Sequence, residues 1–139
     1  MAQIVHNAQA LGAALNRRGI TMLGAHKGYT TTHQVIADVR KFGGGFEVAQ
    51  RLARANIITN KNLIPSDKPQ DWNQPGGLRI GTTEITRLGM KEQQMETIAD
   101  FIARILVEQE VPEEVVDDVV AFREPYQIVY YCFDHGIPV

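Results

Sequence analysis

The sequence is poor in the residues that mark several large classes of protein. Its single cysteine, Cys132, cannot form an internal disulfide, which argues against a secreted disulfide scaffold. No uncharged apolar run is long enough for a signal peptide or a membrane span. Its four histidines, His6, His26, His33 and His135, lack the paired spacing of metal ligands. We therefore expect a reducing, cytoplasmic setting, no membrane contact and no bound metal.

The remaining composition is that of an ordinary globular protein. The 139 residues, 44% hydrophobic and 22% charged, predict one domain over 1–139. Residues 1–104 carry 13 Lys and Arg against 8 Asp and Glu, whereas residues 105–139 carry 1 against 8. The acidic region 108–124 is typical of a solvated helix face, and the alternative is a docking surface for a basic partner. Because basic residues alternate with acidic ones and no aromatics are interleaved, we expect no nucleic-acid partner.

Hydrophobic spacing predicts helices alternating with short strands. Apolar residues at steps of three and four predict helices over 3–17, 46–56 and 91–109, and a further helix begins at Pro112 and ends before Pro125. Short apolar runs predict extended segments at 20–23, 35–39, 57–58 and 78–81, while 127–133 is an apolar run of undetermined type. The pattern indicates an α/β or α+β fold with a small sheet covered by helices on one face. The bare face predicts a second domain or another chain.

Two stretches are unusual for a scaffold. Residues 60–77 hold three of the six prolines and predict an irregular loop, in which Asn60 and Asn62 flank a lysine and serve either a ligand or the loop's own turns. In the second stretch, Arg79 follows Leu78 in a short strand between glycines and points to the opposite face. Its guanidinium is suited to clamp a carboxylate, and the alternative is an internal salt bridge.

Two strings at these stretches resemble one family. ANI-x-x-NKN-x-x-P-x-D spans 55–67 and G-[IL]-R-[IV]-G-T-x-x-[IL]-T-R-x-G spans 77–89. Their order and spacing resemble the C-terminal domain of serine hydroxymethyltransferase, a pyridoxal-phosphate enzyme of fold type I, over residues 4–126. The resemblance implies a short, mostly antiparallel sheet with helices packed on one face. It also implies that Arg79 binds the α-carboxylate of the amino-acid substrate, that Asn62 lies near the folate site and that His33 matches the histidine of the family's T-[DE]-N-H string.

The resemblance also shows what this chain does not carry. The family's cofactor domain, with its Schiff-base lysine in a T-T-T-H-K string, precedes the matching region, and TTTHQ at 30–34 has Gln34 where that lysine would stand. Lys27 is more readily explained as a surface lysine than as an imine former. We therefore expect a larger partner chain to hold pyridoxal phosphate and its lysine.

Departures from the family strings lie where the second substrate binds. The family's T-S-G becomes Pro75-Gly76-Gly77 and its T-P-A becomes Thr82-Thr83-Glu84, which argues against a strict need for tetrahydrofolate. A T-x-E string is more similar to transaldolases and α-methylserine hydroxymethyltransferases.

The chain is thus predicted to be the small subunit of a split pyridoxal-phosphate enzyme of aldol or hydroxymethyl-transfer chemistry, inactive alone. A natural small subunit and a fragment of a longer protein are both compatible with the sequence. The alternative function is a non-catalytic regulatory or scaffolding partner of an intact homologue.

Overall fold

A computed structural model describes residues 2–130 and the backbone of residues 137–138. The helices are α1 (Ala2–Arg17), α2 (Gly45–Arg54), α3 (Thr83–Arg87), α4 (Glu92–Leu106) and α5 (Pro112–Arg123). The strands are β1 (Thr21–Met22), β2 (Gln34–Asp38), β3 (Asn60–Asn62), β4 (Gly77–Gly81), β5 (Ile128–Val129) and β6 (Ile137–Pro138). Short 3-10 turns occupy Ala25–Lys27, Arg40–Phe42 and Pro69–Asn73. Cys132 and His135 lie outside the described residues.

Four strands form one antiparallel sheet in the order β1-β2-β4-β3. In β2, buried residues alternate with half-buried ones, and in β4 the buried Leu78 and Ile80 stand on either side of half-buried Arg79, so that one face turns to the helices. That face contributes Val35, Ala37, Leu78 and Ile80 to the core. The predicted small antiparallel sheet with helices is confirmed. Two residues of the predicted apolar run, Ile128 and Val129, pair with β6, while 131–133 lie outside the described residues.

The core lies between the sheet and helices α1, α2 and α4. Helix α1 buries Leu11 and Leu15, α2 buries Val48 and Leu52, and α4 buries residues of its predicted stripe, Met95, Ile102 and Ile105. The helices predicted from spacing therefore form where expected, because each presents one apolar stripe to the same core. No helix among the described residues is both long and apolar enough to cross a bilayer.

A buried polar network joins α1 to the turn after β4. The Asn7 amide is fully buried and its Nδ2 donates to Thr86 Oγ1 at 2.8 Å and to the Met90 carbonyl at 2.9 Å. Thr86 Oγ1 donates to the Thr82 carbonyl at 2.6 Å, and Thr82 Oγ1 lies 2.9 Å from the Ile4 carbonyl. Because buried polar groups need partners, this network fixes α3, and with it the end of β4, against α1.

Two local expectations were wrong. Residues 57–58 are not a strand, since β3 begins at Asn60, and the 60–77 segment expected as an irregular loop contains β3, a 3-10 turn and the start of β4. The short helix α3 follows β4 where no helix was predicted. Asn and Lys have low strand propensity, so pairing with β4 decides the structure of β3 where local sequence does not.

Candidate functional site

The second face of the sheet carries the residues singled out from the sequence. Arg79 is half-buried and stands on the face opposite Leu78 and Ile80, as alternation predicted. Its antiparallel partners are Ile36 on β2 and Asn60 on β3, so Arg79 lies between two strands rather than at an edge. None of these three residues belongs to the core cluster. Arg79 is therefore central on a face that the protein's own core does not use.

The Arg79 guanidinium has no hydrogen bond and no ion pair with any described residue. Elsewhere in the described chain a carboxylate engages the guanidinium of Arg17, Arg18, Arg40, Arg54, Arg87 and Arg104. The internal salt bridge considered as an alternative is thus not formed with any residue between 2 and 130. A guanidinium offers five N–H donors in a rigid fork, and these donors are free here to meet a planar anion.

The two glycines that flank Arg79 on its face differ in their surroundings. A Cβ added at Gly77 would lie 2.4 Å from Ile64 Cγ2 and 2.6 Å from the Asn62 carbonyl oxygen. A Cβ added at Gly81 would meet no heavy atom within 4 Å. Gly77 is therefore required by packing, whereas the space beside Gly81 is open. A small molecule can approach the backbone next to Arg79 from the Gly81 side.

Asn62 and His33 lie toward opposite ends of β4. Asn62 pairs with Gly77, and its Nδ2 donates to the Leu63 carbonyl at 2.6 Å, so part of its hydrogen-bonding capacity is used locally. His33 immediately precedes β2 and is exposed, and its carbonyl accepts hydrogen bonds from the Thr82 amide at 2.9 Å and from Thr82 Oγ1 at 3.0 Å. At about 3.4 Å per residue, these positions lie roughly 7 and 10 Å along the sheet from Arg79.

The loop between β3 and β4 is closed by a carboxylate to which sequence analysis assigned no role. Asp67 Oδ2 accepts hydrogen bonds from the Ile64 amide at 2.9 Å and from the Gly76 amide at 2.8 Å. These amides lie near the two ends of the loop, so Asp67 holds β3 and β4 together at the end that carries Asn62. An aspartate that bonds to a backbone amide three residues away is a common turn device, and that was the available signal.

Lys61 on β3 also contacts the loop between β3 and β4. Its Nζ donates to the Asn73 carbonyl at 3.1 Å and lies 4.7 Å from the centre of the exposed Trp72 ring. Lys27 is exposed in the Ala25–Lys27 turn, and Lys41, Lys68 and Lys91 are exposed as well. None of the five lysines lies in a buried position. Among the described residues, no group of three or more His, Cys, Asp and Glu side chains could hold a metal ion.

Ion pairs engage several carboxylates on and around the site. At the end of β2, Asp38 pairs with Gly77 on the face that carries Arg79, and hydrogen bonds from the Arg40 side chain hold the pKa of Asp38 below its usual value. In the acidic region, Arg104 pairs with Glu110 and Asp118 at 2.8 Å each, which joins α4 to α5. The acidic residues are thus partly engaged by the chain's own arginines.

A separate cavity of about 650 Å³ lies on the helix side of the sheet. Its lining is mostly apolar and includes Ile80, Ile85, Phe101 and Phe122. Thr59 also lines it, and Thr59 Oγ1 is buried without a hydrogen-bond partner. Gly81, at the end of β4, also lines this cavity, whereas Arg79 does not.

Comparison with known proteins gives consistent matches. Residues 1–102 match the family model described as serine hydroxymethyltransferase. The chain is 53% identical over 133 residues to the serine hydroxymethyltransferase of Methanocella arvoryzae, covering 96% of this chain and 31% of that protein. It is 51% identical over 141 residues to the enzyme of the same name from Thermococcus kodakarensis, covering 99% and 32%. The chain therefore spans about a third of the length of these relatives.

A solved structure shares the fold. The L-threonine transaldolase of Pseudomonas fluorescens, determined in its internal aldimine state, matches with a TM-score of 0.75 and 30% sequence identity. The match covers 90% of this chain and 28% of that one.

Proposed function

The chain belongs to the serine hydroxymethyltransferase family, and on that premise we propose that it completes the amino-acid site of a pyridoxal-phosphate-dependent enzyme whose larger chain holds the cofactor. The two chains form a hetero-oligomer, and the small chain is inactive alone. The proposal is supported by the share of the relatives that the chain spans, about a third. Its reaction class is aldol or retro-aldol cleavage or hydroxymethyl transfer on an amino acid, in keeping with the relatives' names.

The observation that carries the proposal is the unengaged Arg79. A half-buried guanidinium has lost part of its hydration, and with no described carboxylate beside it that loss is uncompensated within residues 2–130. A substrate carboxylate supplies the missing partner through two parallel N–H···O bonds. By holding the carboxylate, Arg79 fixes one of the four bonds of the substrate's Cα, so that a second attachment, at the amino group, would fix the other two. Its share in the reaction is therefore positioning.

The described residues do not fit pyridoxal phosphate itself. An imine-forming lysine works at a lowered pKa in a shielded site. Four of the chain's lysines, Lys27 among them, are exposed, and Lys61 donates instead to the Asn73 carbonyl. We therefore assign no step of the cofactor's chemistry to this chain and place the cofactor's lysine on the larger partner.

Tetrahydrofolate is proposed not to be strictly required. Pro75 and Gly76 stand where the family's T-S-G string has Thr and Ser, so two hydroxyl groups are absent here. The Asn62 amide, which the family resemblance places near the folate, donates to the Leu63 carbonyl. The loop thus offers fewer free polar groups to a second substrate.

Reconstitution tests the proposal directly. The purified chain is mixed with pyridoxal phosphate and a recombinant N-terminal two-thirds of the Methanocella arvoryzae relative, and glycine is titrated while the cofactor absorbance is followed. After unbound pyridoxal phosphate is removed, we expect glycine to change the cofactor absorbance only when both proteins are present. Arg79→Lys, which keeps the charge but loses the fork, should weaken glycine binding by about one to three orders of magnitude, since each 1.4 kcal/mol is tenfold.

The matched control is Arg54→Lys, because Arg54 lies on α2 and pairs with Glu113 away from the sheet's second face. It should leave glycine affinity unchanged. Equal affinities for the Arg79→Lys and unaltered chains would show that the carboxylate is held elsewhere. A chain that binds an intact homologue without changing its glycine affinity would favour the scaffolding alternative.

A further inference from the structure

We propose that Asn60 supplies the second polar contact to the carboxylate that Arg79 binds. The inference rests on the proposed function of Arg79 and adds to it a residue that sets the specificity for a carboxylate. The resemblance to the family drew attention to Asn62 instead, and the strand register is what points to Asn60.

The register places Asn60 directly beside Arg79. In the β3–β4 pairing, the Cα of Asn60 is the partner of the Cα of Arg79, whereas Asn62 is the partner of Gly77. Directly opposed residues of antiparallel strands have Cα atoms about 4.5 to 5.5 Å apart and project from the same face. Asn62 is one full pleat further from Arg79. Asn60 is therefore the nearer amide by construction of the sheet.

Of the residues that stand directly beside Arg79 on this face, only Asn60 has a polar side chain. Across β2 the partner is Ile36, which is half-buried and apolar. Along β4, the residues on the same face are Gly77 and Gly81, which have no side chains. Gln34 and Asp38 on β2 share this face but lie diagonal to Arg79, opposite Gly81 and Gly77, and Asp38 is engaged by Arg40. Asn60 is therefore the directly opposed polar side chain that the sheet offers to a molecule bound at Arg79.

The Asn60 side-chain amide is also available to form a hydrogen bond with a ligand. It is exposed, and its side chain has no hydrogen bond with any residue in the described part of the chain. The Asn62 Nδ2, by contrast, lies 2.6 Å from the Leu63 carbonyl. A carboxylate presents about four lone-pair sites, of which a bidentate guanidinium takes two. The Asn60 Nδ2 can donate to a third site.

A neutral amide suits this position better than a charged residue. An aspartate beside Arg79 would form an ion pair with it and compete with the ligand, whereas an amide leaves the positive charge available. The pair of Arg79 and Asn60 thus selects a ligand that carries a full negative charge and a spare acceptor.

The test compares three single variants in the reconstituted complex, with glycine as the probe. Asn60→Ala should raise the glycine dissociation constant about tenfold, the equivalent of one hydrogen bond to a charged group. Asn60→Asp should raise it further, because its carboxylate occupies Arg79. The control is Thr21→Ala. Thr21 is exposed and lies on β1, which is separated from β4 by β2. It should bind glycine as the unaltered chain does.

A purely structural role of Asn60 would not make Asn60→Asp bind glycine more weakly than Asn60→Ala. If Asn60 only stabilised β3, the alanine and aspartate variants would weaken binding alike and lower the urea midpoint of unfolding. The same comparison is made on the isolated chain with acetate as the probe, read from the Arg79 Nε–H resonance by NMR. There too, Asn60→Asp should bind acetate more weakly than Asn60→Ala.

The outcomes distinguish the Asn60 contact from the carboxylate site at Arg79 on which it rests. If Arg79→Lys weakens glycine binding while Asn60→Ala matches Thr21→Ala, the Asn60 contact is wrong and the carboxylate site stands. If Asn60→Asp binds as well as Asn60→Ala, the contact is also wrong. If Arg79→Lys has no effect, the proposed site itself fails.

Discussion

Replacing Asn7 by alanine should lower the free energy of unfolding by about 3 to 4 kcal/mol. The Asn7 side chain is fully buried, and its Nδ2 makes two hydrogen bonds, to Thr86 Oγ1 and to the Met90 carbonyl. A net hydrogen bond contributes about 1 kcal/mol, so two account for about 2 kcal/mol. Removing the donor from the buried Met90 carbonyl adds about 1 to 2 kcal/mol more, because no water replaces it in the core.

Urea unfolding followed by circular dichroism measures this loss on the isolated chain. With a slope of about 1 to 3 kcal/mol per molar urea, the midpoint should fall by roughly 1 to 4 M. The matched control is Gln3→Ala, because Gln3 lies on the same helix and donates one partly buried bond, to Asn7 Oδ1 at 3.0 Å. It should cost about 1 to 2 kcal/mol, less than Asn7→Ala, because it removes one hydrogen bond where Asn7→Ala removes two. If both variants unfold at the same urea concentration, the buried network does not stabilise the packing of α1 as argued.

Two further outcomes follow from the structure and use the same assay. Hydrogen bonds from Arg18 and Arg17 hold the pKa of Glu96 below its ordinary value of 4.5, so this stabilisation is present above that pH and is lost as pH falls through the lower folded pKa. The urea midpoint of unfolding should therefore decrease when the pH is lowered below about 4.5, and this decrease should be smaller in Glu96→Gln. An identical dependence of the urea midpoint on pH in both chains would contradict this assignment. Gly45→Ala should destabilise by about 3 kcal/mol, because its Cβ would lie 2.0 Å from a backbone oxygen, whereas Gly81→Ala should change stability by less than about 0.5 kcal/mol. Similar losses in the two glycine variants would refute the close approach.

Hydrophobic spacing along the sequence was sufficient to predict the long helices. The spacing of Leu11 and Leu15, and of Met95 and Ile102, is enough to define α1 and α4, because an apolar stripe at helical period has one way to be buried. The strand β3 has no such pattern in its three residues, Asn60–Asn62. Its structure follows from pairing with β4, which lies beyond a loop and is invisible in a short window of sequence.

The candidate site divides in the same way. Alternation along β4 correctly predicted the face on which Arg79 stands, since a strand's period of two needs only the strand itself. Which asparagine lies opposite Arg79 depends on register, and a shift of one residue would have exchanged the faces of both. The residues beside Arg79 could therefore not be identified before the pairing was known.

The Asp67 clamp has a consequence for how this protein can change over evolution. The Asp67 carboxylate bonds to the Ile64 and Gly76 amides and so closes the base of the loop formed by residues 68–75. The length of this loop can therefore change without changing the distance between β3 and β4. Lengthening such a loop costs little, since the entropy of closure grows only with the logarithm of its length. Insertions at the tip can thus accumulate, or be engineered as a tag or a recognition peptide, while Arg79 keeps its place.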